Sequence, residues 1–294
     1  MDVAEERALR QRVFDALAIV VAENGVVTRD QLSAFPVGGT TMRLVDQSRG
    51  IWNPRQLAAT LSVVSSPDGP YADTEVDGGG LRYDYRAGST EGDNAKLRRA
   101  SELGLPIILL RKIDAGVYVP IFPVYVVGDN RHARQFTLAV DESLRFLAHA
   151  GQESIAERRY AERIARHRLH QAEFRGRVLR AYQTRCAICS LGHGRLIDAA
   201  HIIADRETGG DPVVPNGLSL CKIHHAAFDG NLLGISPDFT VEIDRDLLLE
   251  IDGPMLRHGM QEMHGRLLML PGRRRDWPDR DRLAQRWSTF GQAS

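Results

Sequence analysis

Residues 186–229 read CAICSLGHGRLIDAAHIIADRETGGDPVVPNGLSLCKIHHAAFD. This stretch holds all three cysteines of the chain. Cys186 and Cys189 form a C-x-x-C pair, and Cys221 begins a C-x-x-H pair that ends at His224. A tetrahedral zinc site needs thiolate and imidazole ligands in two such short-range pairs. The spacing therefore predicts a structural zinc ion bound by these four side chains.

A second polar set lies in the same stretch. His225 directly follows His224, and adjacent residues of a helix point about 100° apart, so the two imidazoles do not easily share one ion. A zinc site that only stabilises a small domain accounts for the two short-range pairs. It gives no reason for His201, Asn216 and His225, which therefore form a separate candidate site.

The order His, Asn, His between two pairs of zinc ligands resembles the HNH endonuclease family of the ββα-metal fold. The resemblance rests on the segments AAHI, NGL and LC-x-x-HH-x-x-FD. It implies that His201 is the general base at the end of a first β-strand, a task for which an imidazole pKa of about 6.5 is suited. It further implies that His225 binds a catalytic Mg²⁺ or Mn²⁺. Asn216 would bind the same ion or orient the loop that carries His201.

One position departs from the family pattern. Many HNH enzymes have an acidic metal ligand directly before the first histidine, where this chain has Ala200. Asp198 shares the strand face of Ala200, opposite to His201. We therefore expect Asn216 rather than Asp198 to complete the metal site. An ion held by one imidazole and one amide is loosely bound, which predicts activity with Mn²⁺ as well as Mg²⁺.

Composition places the chain among ordinary globular proteins. The chain has 294 residues, which is long enough for two domains with their own cores. Its residues are 43% hydrophobic and 26% charged, as in ordinary soluble domains. The formal net charge is +0, but residues 154–185 hold nine arginines against three glutamates. Such a run is either a solvated helix face or a surface for DNA phosphates. No signal peptide, membrane-spanning stretch or disulfide framework is visible, so we expect a cytoplasmic protein without membrane partners.

The first half of the chain is predicted to form a mixed sheet with few helices. Hydrophobic periodicity predicts one helix at 5–24 and another at 94–103, and apolar runs predict strands near 106–111, 118–129 and 136–140. Residues 45–141 resemble the SET-and-RING-associated (SRA) domain, a β-rich, PUA-like barrel that binds modified cytosine after extruding it from the duplex. The resemblance rests on GIWNP, PYADTEVDGGGLRYDYRAG, GLPIILLRK and VYVPIFPVYVV.

The SRA resemblance also implies a base pocket. In that family, aromatic side chains stack on the flipped base and an acid accepts a hydrogen bond from its exocyclic amine. Matched to this sequence, Tyr71 and Tyr85 are the stacking residues and Asp73 is the acceptor. Thr74 is the alternative to Asp73, and Tyr83 is the alternative to Tyr85. Ordinary core packing is the competing interpretation of each tyrosine.

The two resemblances together predict an α+β chain in three segments. These are an SRA-like domain with N-terminal helices at 1–141, a helical Arg-rich connector at 142–182, and an HNH domain with a C-terminal extension at 183–294. The implied protein is a homodimeric endonuclease that recognises 5-methyl- or 5-hydroxymethylcytosine in double-stranded DNA and cuts it with a one-metal site. The alternatives are a catalytically inert reader and a relaxed HNH nuclease without modified-base recognition. The set of His201, Asn216 and His225 argues against the inert reader, and Ala200 keeps it open.

Overall fold

The computed structural model describes residues 1–66, 75–76, 80–86, 91–142, 144 and 155–293. They group into two compact units. Unit 1 contains Met1–Val21 and Val26–Glu173, and unit 2 contains Ala22–Gly25 and Phe174–Ser294. The predicted connector at 142–182 therefore contributes to both units. Among the described helices, none combines the length and the apolar composition that crossing a bilayer requires.

Unit 1 is built around an eight-stranded sheet. Its strands are β1 (Val27–Thr28), β4 (Ile51–Trp52), β5 (Ser62–Ser65), β6 (Glu75–Val76), β7 (Gly80–Asp84), β8 (Ile107–Asp114), β9 (Val117–Asn130) and β10 (Gln135–Ala139). The order is β4-β5-β8-β9-β10-β7-β6, with β1 on β9 and only β5 and β8 parallel. In the part of the chain that the structure describes, no pairing joins β4 to β6. The closed SRA barrel therefore stays a prediction.

Three helices and one hairpin complete the described secondary structure before residue 142. They are α1 (Val3–Asn24), α2 (Arg29–Ser33), α3 (Asp93–Glu102) and the hairpin of β2 (Phe35–Val37) with β3 (Thr40–Met42). The helices predicted at 5–24 and 94–103 are confirmed by α1 and α3. Helix α1 buries Arg10, whose guanidinium donates to Glu6 at 2.6 Å and to the Thr60 and Pro106 carbonyls at 2.8 and 2.6 Å. Because its donors are paired, this buried charge is tolerated in the core.

Unit 2 contains the predicted ββα element. A hairpin of β11 (Ile197–His201) and β12 (Gly217–Cys221) leads directly into α5 (Lys222–Asp229). The antiparallel register pairs Ile197 with Cys221 and His201 with Gly217. One end of the hairpin thus carries Cys221, the first residue of the C-x-x-H pair, and the other end carries His201, the first histidine of the HNH pattern.

The rest of unit 2 surrounds this element. It consists of the C-terminal part of α4 (Ile155–Ala181), the hairpin of β13 (Leu233–Ile235) with β14 (Val241–Ile243), and the helices α6 (Arg245–Leu249), α7 (Pro254–Gly259) and α8 (Arg280–Ala293). One core connects them, with Phe174, Leu218 and Phe228 each at most 1% exposed.

The segment Ala22–Gly25 at the end of α1 belongs to unit 2. Arg175 donates through Nη2 to the carbonyl oxygens of Ala22 and Ile197, both at 3.0 Å. Gly194 lies so close to the Glu23 carbonyl that a Cβ at this position would overlap with it. Unit 2 is therefore assembled from two separate pieces of the chain.

Candidate active site

The four predicted zinc ligands converge on one point. The ligand atoms of Cys186, Cys189, Cys221 and His224 all lie within 4.8 Å of one another. His224 Nδ1 is 3.4 Å from Cys186 Sγ and 3.2 Å from Cys221 Sγ, and the Cys189 and Cys221 sulfurs are 4.0 Å apart. Tetrahedral zinc, with bonds of about 2.0–2.3 Å, holds its ligand atoms roughly 3.5–3.8 Å apart. The cluster therefore fits a zinc ion.

Local backbone structure positions these ligands. Cys221 ends β12 and is the N-cap of α5, so His224 lies in the first turn of that helix. The C-x-x-C loop closes through hydrogen bonds from Cys186 N to Leu191 O and from Ser190 N to Cys186 O, each 2.9 Å long. Ser190 adopts a φ of 60° to allow this turn.

The surroundings of His224 and Cys186 favour the tautomer and the thiolate that bind a metal ion. His224 Nε2 lies 2.8 Å from the Gly259 carbonyl oxygen, so this nitrogen carries the proton and Nδ1 faces the sulfurs. Such a contact from outside the ligand set fixes the tautomer of a metal-binding histidine. Hydrogen bonds from Cys189 and Cys221 hold the pKa of the Cys186 thiol far below its usual range. A thiolate is the form that binds zinc.

His201 lies at the end of β11 and is fixed by aromatic stacking. Its ring lies on that of Phe174 with the centroids 3.9 Å apart and the planes inclined by 16°. Helix α4 reaches the hairpin this closely because Gly217 faces it. A Cβ at Gly217 would overlap with Val178 and lie 3.0 Å from the Phe174 ring. The glycine of the NGL segment therefore allows the contact that holds His201.

Asn216 holds the chain that follows His201. It is completely buried. Its amide oxygen accepts from Ile203 N at 2.9 Å, and its Nδ2 donates to the carbonyls of Ile203 at 2.9 Å and Asp211 at 3.1 Å. Of the two roles considered for Asn216, these contacts favour orienting the loop. The amide oxygen needed to bind a metal ion is instead directed to the backbone.

One open cavity brings the candidate catalytic residues together. It has a volume of about 450 Å³ and is lined by His201, His225 and Asp229. The loop at 202–207 and three residues of α8 complete its wall. Asn216 is not among the lining residues. The sequence thus predicts both histidines that line this cavity, His201 and His225, but not Asp229.

His225 lies between two carboxylates. Its Nε2 is 3.3 Å from Asp229 Oδ2, one helical turn later, and its Nδ1 is 3.9 Å from Asp198 Oδ2. Asp198 also accepts from Lys222 Nζ at 3.0 Å. The strand alternation predicts that Asp198 lies on the face opposite to His201. Helix α5 packs on the Asp198 side, so that reasoning did not exclude a position beside His225. The i,i+4 spacing of His225 and Asp229 was the signal for Asp229.

The proposed base pocket lies mostly outside the described residues. Tyr71, Asp73 and the alternative Thr74 fall there. Tyr83 and Tyr85 are described, and both are buried. The Tyr83 hydroxyl donates to the carbonyl oxygens of Gly50 and Val64 at 3.2 and 3.3 Å.

Tyr85 is held in the core of unit 1. Its ring stacks on Phe136 with the centroids 4.5 Å apart. Its hydroxyl donates to Asp129, which also accepts from Arg98 Nε at 2.6 Å. Core packing therefore accounts for Tyr85 and Tyr83 as the structure places them.

Part of the Arg-rich stretch at 154–185 serves internal contacts. Arg168 pairs with Asp141 and donates to the Phe122 carbonyl at 3.0 Å. Arg175 donates to two carbonyls, as described above, and burial lowers its pKa. These two arginines stabilise their own units, so the stretch is not a uniform phosphate-binding face.

Residues 186–236 match the family model described as HNH endonuclease. Together with the ββα geometry, this match defines an HNH-type endonuclease domain in unit 2. No curated protein matches the chain.

Two solved structures are similar to longer parts of the chain. The "Modification dependent TagI restriction endonuclease" is 18% identical over 83% of this chain and 86% of that chain, with a TM-score of 0.31. The "Type IV phosphorothioation-dependent restriction endonuclease ScoMcrA" is 17% identical over 62% of this chain and 48% of that chain, with a TM-score of 0.24.

Proposed function

We propose that this protein is a divalent-metal-dependent DNA endonuclease in which His201 is the general base. The observation that carries the proposal is the cavity shared by His201, His225 and Asp229 inside the HNH domain. His201 would accept the proton of the attacking water. Stacking on Phe174 holds its ring, and Asn216 holds the backbone that follows it. A general base placed in this way contributes about 10²–10⁴-fold to a rate.

His225 Nε2 and the Asp229 carboxylate are the residues that would hold the catalytic ion. They lie 3.3 Å apart in the open cavity, and imidazole and carboxylate are suitable donors for Mn²⁺ and Mg²⁺. When bound, such an ion stabilises negative charge on the phosphate and on the departing oxygen. Asp229 would supply the carboxylate that Ala200 lacks. Asp198, on the Nδ1 side of His225, would orient the ring.

The modified-cytosine specificity of unit 1 is proposed from the sequence resemblance to SRA domains. Tyr71 and Asp73 carry this proposal, because the Tyr83 and Tyr85 side chains are buried and make core contacts. A homodimer that acts on both strands of modified duplex DNA is proposed on the same basis. Sedimentation velocity with and without duplex tests the dimer.

Cleavage of matched duplexes tests the function. The substrates are unmodified, 5-methylated and 5-hydroxymethylated at cytosine, each with Mg²⁺, with Mn²⁺ or with a chelator of both. We expect cleavage that requires the added ion and is fastest on a modified duplex. Equal cleavage of all three duplexes would support the relaxed nuclease instead. Preferential binding without any cleavage would support the inert reader.

A further inference from the structure

Helix α8 lies beyond the matched HNH segment, which ends at residue 236, yet it forms part of the cavity wall. Gln285, Arg286 and Thr289 supply this wall. The helix is anchored by close packing, since a Cβ at Gly234 of β13 would lie 2.5 Å from the Phe290 ring. Phe290 is itself buried. The C-terminal extension is therefore positioned to take part in the reaction.

Arg286 is fixed against the helix that carries the metal-site residues. Its Nη2 donates to the Phe228 carbonyl at 2.5 Å, and its guanidinium carbon lies 4.9 Å from the centre of the Phe228 ring. Its Nη1 donates to Thr289 Oγ1 at 3.3 Å. Phe228 directly precedes Asp229 in α5. These contacts fix the position of the Arg286 guanidinium relative to α5, the helix that carries His225 and Asp229.

The charges of the cavity wall indicate what Arg286 could bind. A DNA phosphate is an anion, and the cavity wall already includes three acidic residues: Asp205, Glu207 and Asp229. An anion enters such a site only if cations offset this charge. The cavity wall has two arginines, Arg206 on the exposed loop and Arg286, which is half-buried and held by α5.

We propose that Arg286 binds a non-bridging oxygen of the scissile phosphate and stabilises the charge that grows there in the transition state. This inference rests on the proposed nuclease function. A guanidinium stays charged and has about five N–H donors, so its bonds to Phe228 and Thr289 leave donors for a phosphate. A donor that is already held in position needs no reorganisation as the charge develops.

The chemical step is a hydrolysis in which water is the nucleophile and His201 is the proton acceptor. The oxygen of a water molecule forms a bond to phosphorus while His201 takes the proton of that water. The bond from phosphorus to the 3′ oxygen breaks, and its electron pair remains on the 3′ oxygen, which takes a proton from solvent. Arg286 forms no covalent bond and transfers no proton.

The test compares Arg286→Gln and Arg286→Lys with a control on the same helix. Arg280→Gln is the control because Arg280 pairs with Asp238 at 3.0 Å, is 62% exposed and does not line the cavity. We expect Arg286→Gln to lower the single-turnover cleavage rate about 100-fold, as loss of one transition-state donor does. Arg286→Lys keeps the charge but not the planar fork, so it should fall between Arg286→Gln and wild type. Arg280→Gln should stay within about twofold of wild type, as expected for an exposed ion pair.

Binding of inorganic phosphate, measured by isothermal titration, separates this inference from the nuclease proposal. Arg286→Gln should weaken phosphate binding about tenfold or more, and Arg280→Gln should not. If wild type binds phosphate through Arg286 but cuts no DNA, the nuclease proposal fails and the anion site stands. If Arg286→Gln binds phosphate like wild type, the inference is overturned. Thermal midpoints are measured alongside. If Arg286→Gln does not fold, Arg286→Lys decides in its place, and wild-type phosphate affinity in that variant would overturn the inference.

Discussion

His224 and His225 are neighbours in the sequence but belong to two regions of opposite character. His224 is 2% exposed in the Cys₃His cluster, where its two ring nitrogens face sulfurs and a carbonyl oxygen. The His225 side chain is 26% exposed, lines the open cavity and lies between two carboxylates. One turn of α5 thus contributes His224 to the buried Cys₃His cluster and His225 to the open cavity. The buried side stabilises the fold, and the exposed side is available for chemistry.

Cys186→Ala gives the largest effect expected from this comparison. Structural zinc in small domains contributes about 10–16 kcal/mol of apparent binding free energy at neutral pH, which exceeds the stability of most domains. We therefore expect unit 2 to lose its zinc and its folded structure. Metal analysis and limited proteolysis measure both. A zinc-free variant with an unchanged melting temperature would contradict the structural role of the cluster.

His201→Ala should leave the fold intact and remove the reaction. We expect the cleavage rate to fall by about 10²–10⁴-fold, because the general base is lost. Zinc content and duplex binding should match wild type. His258→Ala is the control, since His258 pairs with Glu262 in unit 2 and lies outside the cavity wall. If both variants cleave at the wild-type rate, the base is another group.

Gly217→Ala tests the contact that connects the core to the cavity. The added methyl group would meet Val178 and Phe174. Overpacking of this kind costs about 1–3 kcal/mol, and it should also displace the ring on which His201 stacks. Chemical denaturation and the cleavage rate should both show a loss. Gly272→Ala is the control, because a Cβ there has no atom within 4 Å. Equal stability of the two variants would refute the close packing.

Asp229→Asn has the smallest expected effect, on metal affinity alone. We expect the Mg²⁺ concentration needed for half-maximal cleavage to rise about tenfold, and saturating Mn²⁺ to restore most of the rate. Zinc content should not change, which distinguishes the cavity from the Cys₃His cluster. Asp238→Asn is the control, since Asp238 pairs with Arg280 away from the cavity wall. An unaltered Mg²⁺ dependence of Asp229→Asn would return the ligand role to Asp198.

The Cys₃His cluster and the ββα element could be predicted from sequence because the residues that form each lie close together in the chain. The C-x-x-C spacing identifies Cys186 and Cys189, and the C-x-x-H spacing identifies Cys221 and His224. Arg286 could not be found in this way, because only the packing of α8 brings it to a cavity formed some sixty residues earlier in the chain.

Asn216 and Tyr85 show a different limit of sequence analysis. A buried amide can bind a metal ion or hold a loop, and a strand tyrosine can stack on a base or on Phe136. Residue type and spacing in the sequence are the same for either role of each residue. The two roles differ in their partners, and for Asn216 the structure places the backbone groups of Ile203 and Asp211 there. For Tyr85 they are Phe136 and Asp129.

The two-piece assembly of unit 2 limits how far its nuclease can be treated as a transferable module. A chimera that joins residues 174–294 to a foreign recognition domain would lack Ala22–Gly25. Arg175 would lose one of the two carbonyls to which its Nη2 donates, and Gly194 would lose the peptide that packs against it. A chimera made from this protein therefore needs residues 22–25 together with residues 174–294.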